Sequence, residues 1–190
     1  ITPRTKALLI GYPNNPTGAV LSRTRLQEIA RVAERHDLLV ISDEIYERII
    51  YDAEFHSFGA AEAIKDRTIT VNGFSKCYAM TGWRVGFVHT DKKRIGRIVK
   101  FHDAMVTCAP VPSQYAAIGA LRYGADFLEE FRQEFKKRRN YCISRLDDLS
   151  QVMDYQVPKA TYFVFPRIKD IIAYAGDSHR LAYDILEKVK

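Results

Sequence analysis

Three short polar clusters bring together side chains of complementary chemistry. Asn15 stands in Asn14-Asn15-Pro16-Thr17-Gly18, Asp43 and Tyr46 in Ser42-Asp43-Glu44-Ile45-Tyr46, and Ser75, Lys76 and Arg84 between Asn72 and Gly86. Taken singly, each has an ordinary explanation. A lysine is usually a solvated charge, an aspartate after a strand a loop cap, and an Asn-Pro pair a turn former. Context changes the reading of Lys76, which lies in a tight loop between two apolar runs, beside Ser75 and shortly after Gly73. Amines in such loops favour the neutral form, because the charged form loses hydration. A neutral amine attacks an aldehyde and forms a Schiff base.

The other groups suit the rest of such a ligand. Asp43 can pair with a protonated pyridine nitrogen and keep the ring an electron sink. Tyr46 and Asn15 can donate hydrogen bonds to a phenolate oxygen. Arg84 offers a planar fork for a phosphate, with Ser75 as a weaker phosphate candidate. Amine, carboxylate, phenol, amide and guanidinium together are the set that pyridoxal phosphate (PLP) needs, and few other ligands need it. Glu44 points away from Asp43 and is read as structural, and Trp83 as packing.

These residues need a scaffold, and the hydropathy pattern predicts one. Apolar runs at Ala7-Leu8-Leu9-Ile10, Leu38-Leu39-Val40-Ile41, Thr68 to Val71 and Val85 to His89 predict buried strands. Ser22 predicts the cap of a helix reaching about His36, with Leu26, Ile29, Ala30 and Ala33 as its apolar stripe. Further helices are expected after Asp91, from Gln114 to Tyr123, from a cap at Asp126 to about Leu149, and from Ser178. Strands are expected at Val152 to Val157 and Thr161 to Pro166. Alternation of this kind predicts an α/β fold with a mostly parallel sheet flanked by helices, followed by part of a smaller α+β domain. The expected boundary lies within the long helix near residue 130, giving units 1–130 and 131–190. In open parallel sheets, ligands sit beyond the carboxyl ends of the strands. Asn15, Asp43 and Lys76 all follow a strand.

Composition narrows the function classes. With 190 residues, 47% of them hydrophobic, the chain can bury a core, and 12% aromatic content argues against disorder. No apolar run approaches the roughly 18 residues of a membrane span. The five histidines show no ligand spacing, so no metal site is expected. Cys77, Cys108 and Cys142 form no CxxC pair and are expected to stay reduced in the cytoplasm. The net charge of +6 includes the run Lys136-Lys137-Arg138-Arg139, read as a solvated helix face rather than a nucleic-acid site. Both ends of the chain read as cut from a longer protein.

The clusters, with Ala79-Met80-Thr81-Gly82-Trp83-Arg84-Val85-Gly86 and Pro158-Lys159-Ala160-Thr161-Tyr162-Phe163-Val164-Phe165-Pro166, resemble the class I/II aminotransferases of the PLP-dependent fold-type I superfamily. The resemblance covers most of the chain. It implies that Lys76 carries the cofactor, Asp43 meets the pyridine nitrogen, Tyr46 and Asn15 meet the phenolate oxygen, and Arg84 meets the phosphate. It implies ping-pong transfer of an amino group from an L-amino acid to a 2-oxo acid, and a homodimer at full length. Gly73 departs from the pattern, since many members carry a serine there. The N-terminal glycine-rich phosphate loop and the C-terminal arginine that reads the substrate carboxylate are expected outside this chain. A carbon–sulfur lyase of the same fold, a PLP-sensing regulator domain and an inactive folded fragment remain as alternatives.

Overall fold

The apolar runs become strands that pair in chain order. In this computed structural model, which describes residues 1–169, Tyr174 and 177–189, strands β1 (Ala7–Gly11), β2 (Leu39–Asp43), β3 (Thr68–Gly73) and β4 (Gly86–His89) form a four-stranded sheet in the order β1-β2-β3-β4. β1 with β2 and β2 with β3 are parallel, whereas β4 runs antiparallel to β3. The sheet is thus mainly parallel, as expected.

Helix α1 (Arg23–Arg35) starts where predicted. The Ser22 hydroxyl accepts from the Arg25 amide at 3.3 Å, satisfying one of the free donors of the first turn. Leu26, Ala30 and Ala33 lie on one face of α1 and are buried against Tyr12, Leu38, Val40, Phe58 and Ile64. Burying a large apolar side chain stabilises by about 1.5–3 kcal/mol, so this cluster anchors the sheet. The opposite face is less covered than the apolar runs predict. Leu9 is 77% exposed, because its neighbours Leu8 and Ile10 take the core side of the pleat.

Helices α2 (Lys92–Met105), α3 (Val111–Tyr123) and α4 (Ala125–Asp147) follow. Asp91 caps α2 through its carboxylate. Asp126 does not cap α4. Gly124 alone separates α3 from α4, its amide bonded to the Ala120 carbonyl at 2.9 Å, and the tight turn leaves no place for a side-chain cap. A small antiparallel pair, β5 (Met153–Asp154) with β6 (Arg167–Ile168), and helix α5 (Ser178–Lys188) complete the described chain. The strand predicted at Thr161 to Pro166 does not form. Thr161 sits at φ 65°, and its amide bonds to the Ile49 carbonyl at 2.8 Å, which ties this stretch to the site loops instead of to a sheet. Residues 170–173, 175, 176 and 190 of the predicted second unit lie outside the described residues.

Candidate active site

Strand register sets the site. Parallel pairing puts Gly11 beside Asp43 and Asp43 beside Val71, so the chain leaves three adjacent strands at one edge of the sheet. The Tyr12 amide donates to the Asp43 carbonyl at 2.8 Å, and the Glu44 amide to the Val71 carbonyl at 2.9 Å, which extends the lattice into the loops. The loops bearing Asn15, Asp43 and Lys76 therefore start from neighbouring points on one rigid edge.

Asp43 and Glu44 divide their roles sharply. The Asp43 side chain is exposed and accepts from the Ile45 amide at 3.2 Å. The buried acid of the pair is Glu44, 1% exposed. Glu44 Oε1 accepts from Ser42 Oγ at 2.8 Å, Ser57 Oγ at 3.0 Å and the Phe58 amide at 3.1 Å. Burial pushes the Glu44 carboxyl above its ordinary range, and these neutral donors only partly oppose the shift. Its structural assignment from sequence agrees with this network.

Tyr46 is buried, three residues beyond Asp43. Burial raises its phenol, aided by the Tyr162 hydroxyl, while hydrogen bonding to the Asn15 side chain lowers it and the Asp43 charge raises it. Asn15 and Asp43 are thus each within interaction range of Tyr46. The loop carrying Asn15 is pinned at its far end, where the Gly18 carbonyl accepts from the amides of Lys159 and Ala160 at 3.0 and 3.1 Å. Both Tyr12–Pro13 and Asn15–Pro16 are cis.

The Lys76 loop leaves β3 at Gly73 and folds back on itself. The amides of Tyr78 and Met80 both bond to the Phe74 carbonyl at 3.3 Å, and Thr81 Oγ1 donates to the Ser75 carbonyl at 2.7 Å. Phe74 and Met80 are buried against Ala117 of α3, and Cys77 against Tyr46, Ile49 and Tyr51. Lys76 is half-buried between these two anchors. Burial pushes the Cys77 thiol up to about 11, so this cysteine is not a nucleophile near neutral pH. Arg84 adopts a left-handed conformation at φ 52° and donates from Nη1 to the Thr81 carbonyl at 2.9 Å. Arg84 and Ser75 share a hollow of about 230 Å³ with Ile45, Asn72, Gly73, Val85 and Gly86.

Two groupings therefore emerge. Asn15, Asp43 and Tyr46 form one, and Ser75 and Arg84 the other. Lys76 follows Ser75 directly, and Ile45, between Asp43 and Tyr46, lines the Ser75–Arg84 hollow. Local sequence reading assigned no role of its own to Tyr162, whose hydroxyl lies 3.4 Å from that of Tyr46. The only sequence signal for it was the aromatic-rich Pro158 to Pro166 stretch. Among the described residues no group of acidic, histidine or cysteine side chains could hold a metal ion.

This chain belongs to the family of class I and II aminotransferases, whose model matches residues 1–190. It is 46% identical to an aspartate aminotransferase of Pyrococcus abyssi and 44% identical to aromatic-amino-acid aminotransferase 2 of Thermococcus litoralis, in each case over 90% of this chain and 44% of the relative. The solved aspartate aminotransferase of Thermus thermophilus with maleate is 36% identical and superposes with a TM-score of 0.90, over 98% of this chain and 48% of that one. The chain thus spans about half the length of the relatives it matches.

Proposed function

We propose that this chain is the cofactor-holding part of a PLP-dependent aminotransferase that moves an amino group from an L-amino acid to a 2-oxo acid. The observation that carries the reading is the common sheet edge. The register of β1, β2 and β3 starts the Asn15, Asp43 and Lys76 loops side by side. The donor set fits the cofactor, with a carboxylate, two neutral hydrogen-bonding groups, an amine and a guanidinium beside a hydroxyl.

When bound, PLP supplies an electron sink for the pair left on the substrate's α-carbon. Asp43 would hold the protonated ring nitrogen through its exposed carboxylate. Tyr46 and Asn15 would donate to the ring oxygen, Tyr46 remaining a protonated donor across the working pH range because burial raises its phenol. Arg84 and Ser75 would bind the phosphate from their shared hollow. Lys76 Nζ would anchor the cofactor, then take the α-proton of the amino acid and give it up again as general base and acid.

The family resemblance extends this to ping-pong kinetics and to a homodimer at full length. Three unpaired cysteines, one of them buried, favour a reducing compartment and hence the cytoplasm. Among the described residues no helix is long and apolar enough to cross a membrane. The larger domain would end within α4 near residue 130, beyond which the separate β5–β6 pair and α5 begin.

The test is an assay of the full-length protein with aspartate or phenylalanine and 2-oxoglutarate. The expected products are the donor's 2-oxo acid and glutamate, with turnover falling at least about 100-fold in Lys76→Ala. Pyruvate, ammonia and a thiol released from a cysteine thioether, without glutamate formation, would point to a lyase instead.

A further inference from the structure

The stretch after Pro158 reaches the site from far along the chain, and its geometry is tightly fixed. The Thr161 carbonyl accepts the Tyr51 hydroxyl, the Thr161 amide bonds to the Ile49 carbonyl at 2.8 Å, and Thr161 Oγ1 accepts from the Phe163 amide at 3.3 Å. Arg139 of α4 adds a bond to the Pro158 carbonyl at 3.0 Å, pairs with Asp52 at 2.7 Å, and lies over the Tyr51 ring at 4.8 Å. The next side chain, Tyr162, is gripped by rings. It stacks on Phe135 at 5.4 Å and meets the Tyr46 ring edge-on at 5.6 Å. Its hydroxyl is thereby held 3.4 Å from that of Tyr46, a few tenths of an ångström beyond the usual ~2.5–3.0 Å of a hydroxyl pair, so a small approach of the two rings completes the bond.

We propose that Tyr162 is a positioning residue that acts through Tyr46, donating its hydroxyl proton into the Tyr46 oxygen so that the Tyr46 proton is directed to the ring oxygen of bound PLP. This inference rests on the reading of the site as a PLP pocket. Without PLP the Tyr162 hydroxyl helps raise the Tyr46 phenol, as an acceptor of its proton does. Once the PLP ring oxygen takes that proton, Tyr162 is left as the donor of the pair. A hydroxyl that accepts one hydrogen bond becomes a better donor in the next, so the pair then acts as a short relay. The arrangement places one link of the site on a segment 116 positions from Tyr46. The groups facing Tyr46 are the Asp43 carboxylate, the Asn15 amide and the Tyr162 hydroxyl, with Cys77 and Tyr51 in the same buried cluster.

The readout is the pH titration of the absorbance of bound PLP in the full-length protein. Donors to the ring oxygen draw its negative charge away from the neighbouring imine proton, so losing a donor should raise the titration midpoint. Tyr162→Phe keeps the ring stack and removes only the hydroxyl. We expect it to retain the PLP band, raise the midpoint by about half a unit, and add no further shift in the Tyr46→Phe background. An unchanged midpoint in Tyr162→Phe, or a shift that adds in full to that of Tyr46→Phe, overturns the relay while leaving the PLP site intact. A wild-type protein that shows no PLP band overturns the site reading, and the relay with it.

Discussion

Gly73 and Gly86 face each other across the antiparallel β3–β4 pair, so closely that a β-carbon on Gly73 would lie 3.0 Å from the Gly86 Cα and 3.2 Å from the Val85 carbonyl oxygen. Both neighbours are backbone, at or just before the start of β4, and have little room to yield. This accounts for glycine at position 73. Gly73→Ser is therefore expected to destabilise by about 1–3 kcal/mol and to bring no gain in PLP affinity. A denaturant titration and a PLP binding isotherm of the variant check both parts.

A second glycine controls the Asn15 loop. Gly18 sits at φ 66°, where a β-carbon would stand 2.4 Å from Pro158 Cβ and 2.6 Å from the Ala160 carbonyl oxygen. Neither atom is the flexible end of a side chain. Gly18→Ala should force the loop off the 158–160 segment, lower the thermal midpoint, and weaken PLP binding by moving Asn15. A variant that melts and binds like the wild type would show that this contact is not needed to place Asn15.

Glu44 gives a pH signature. Its carboxyl is buried and raised above the ordinary value of 4.5, so the native state holds its proton more tightly than the unfolded chain does. The resulting stability is fully present below that value and is lost as pH rises through the native-state value. Glu44→Gln keeps an oxygen for the Ser42, Ser57 and Phe58 donors and cannot ionise. The melting temperature of the variant relative to wild type should therefore climb as pH rises from about 4.5. A difference that stays flat from pH 4 to pH 8 would contradict this account of the buried carboxyl.

Much of this architecture was legible in the sequence, because it depends on local patterns. Four apolar runs predict β1 to β4, and Ser22 and Asp91 mark the starts of α1 and α2 through short-range caps. The candidate residues at 15, 43, 46, 76 and 84 were visible because each follows or borders a strand. What could not be read depends on distant partners. The burial of Glu44 is set by Ser57 and Phe58, and the failure of a strand at Thr161 is set by Ile49 and Tyr51. Tyr162 reaches Tyr46 through partners far along the chain, the Thr161 ties to Ile49 and Tyr51 and its own stacking on Phe135 of α4. The antiparallel direction of β4 is likewise absent from its apolar pattern, which is the same for either direction.

The most direct test of the central claim is to load the full-length protein with PLP, reduce it with borohydride, and map the modified peptide by mass spectrometry. One phosphopyridoxyl group is expected, on Lys76 Nζ, and none on the other lysines. Modification of a different lysine, or none at all in a protein that visibly binds PLP, would contradict the claim.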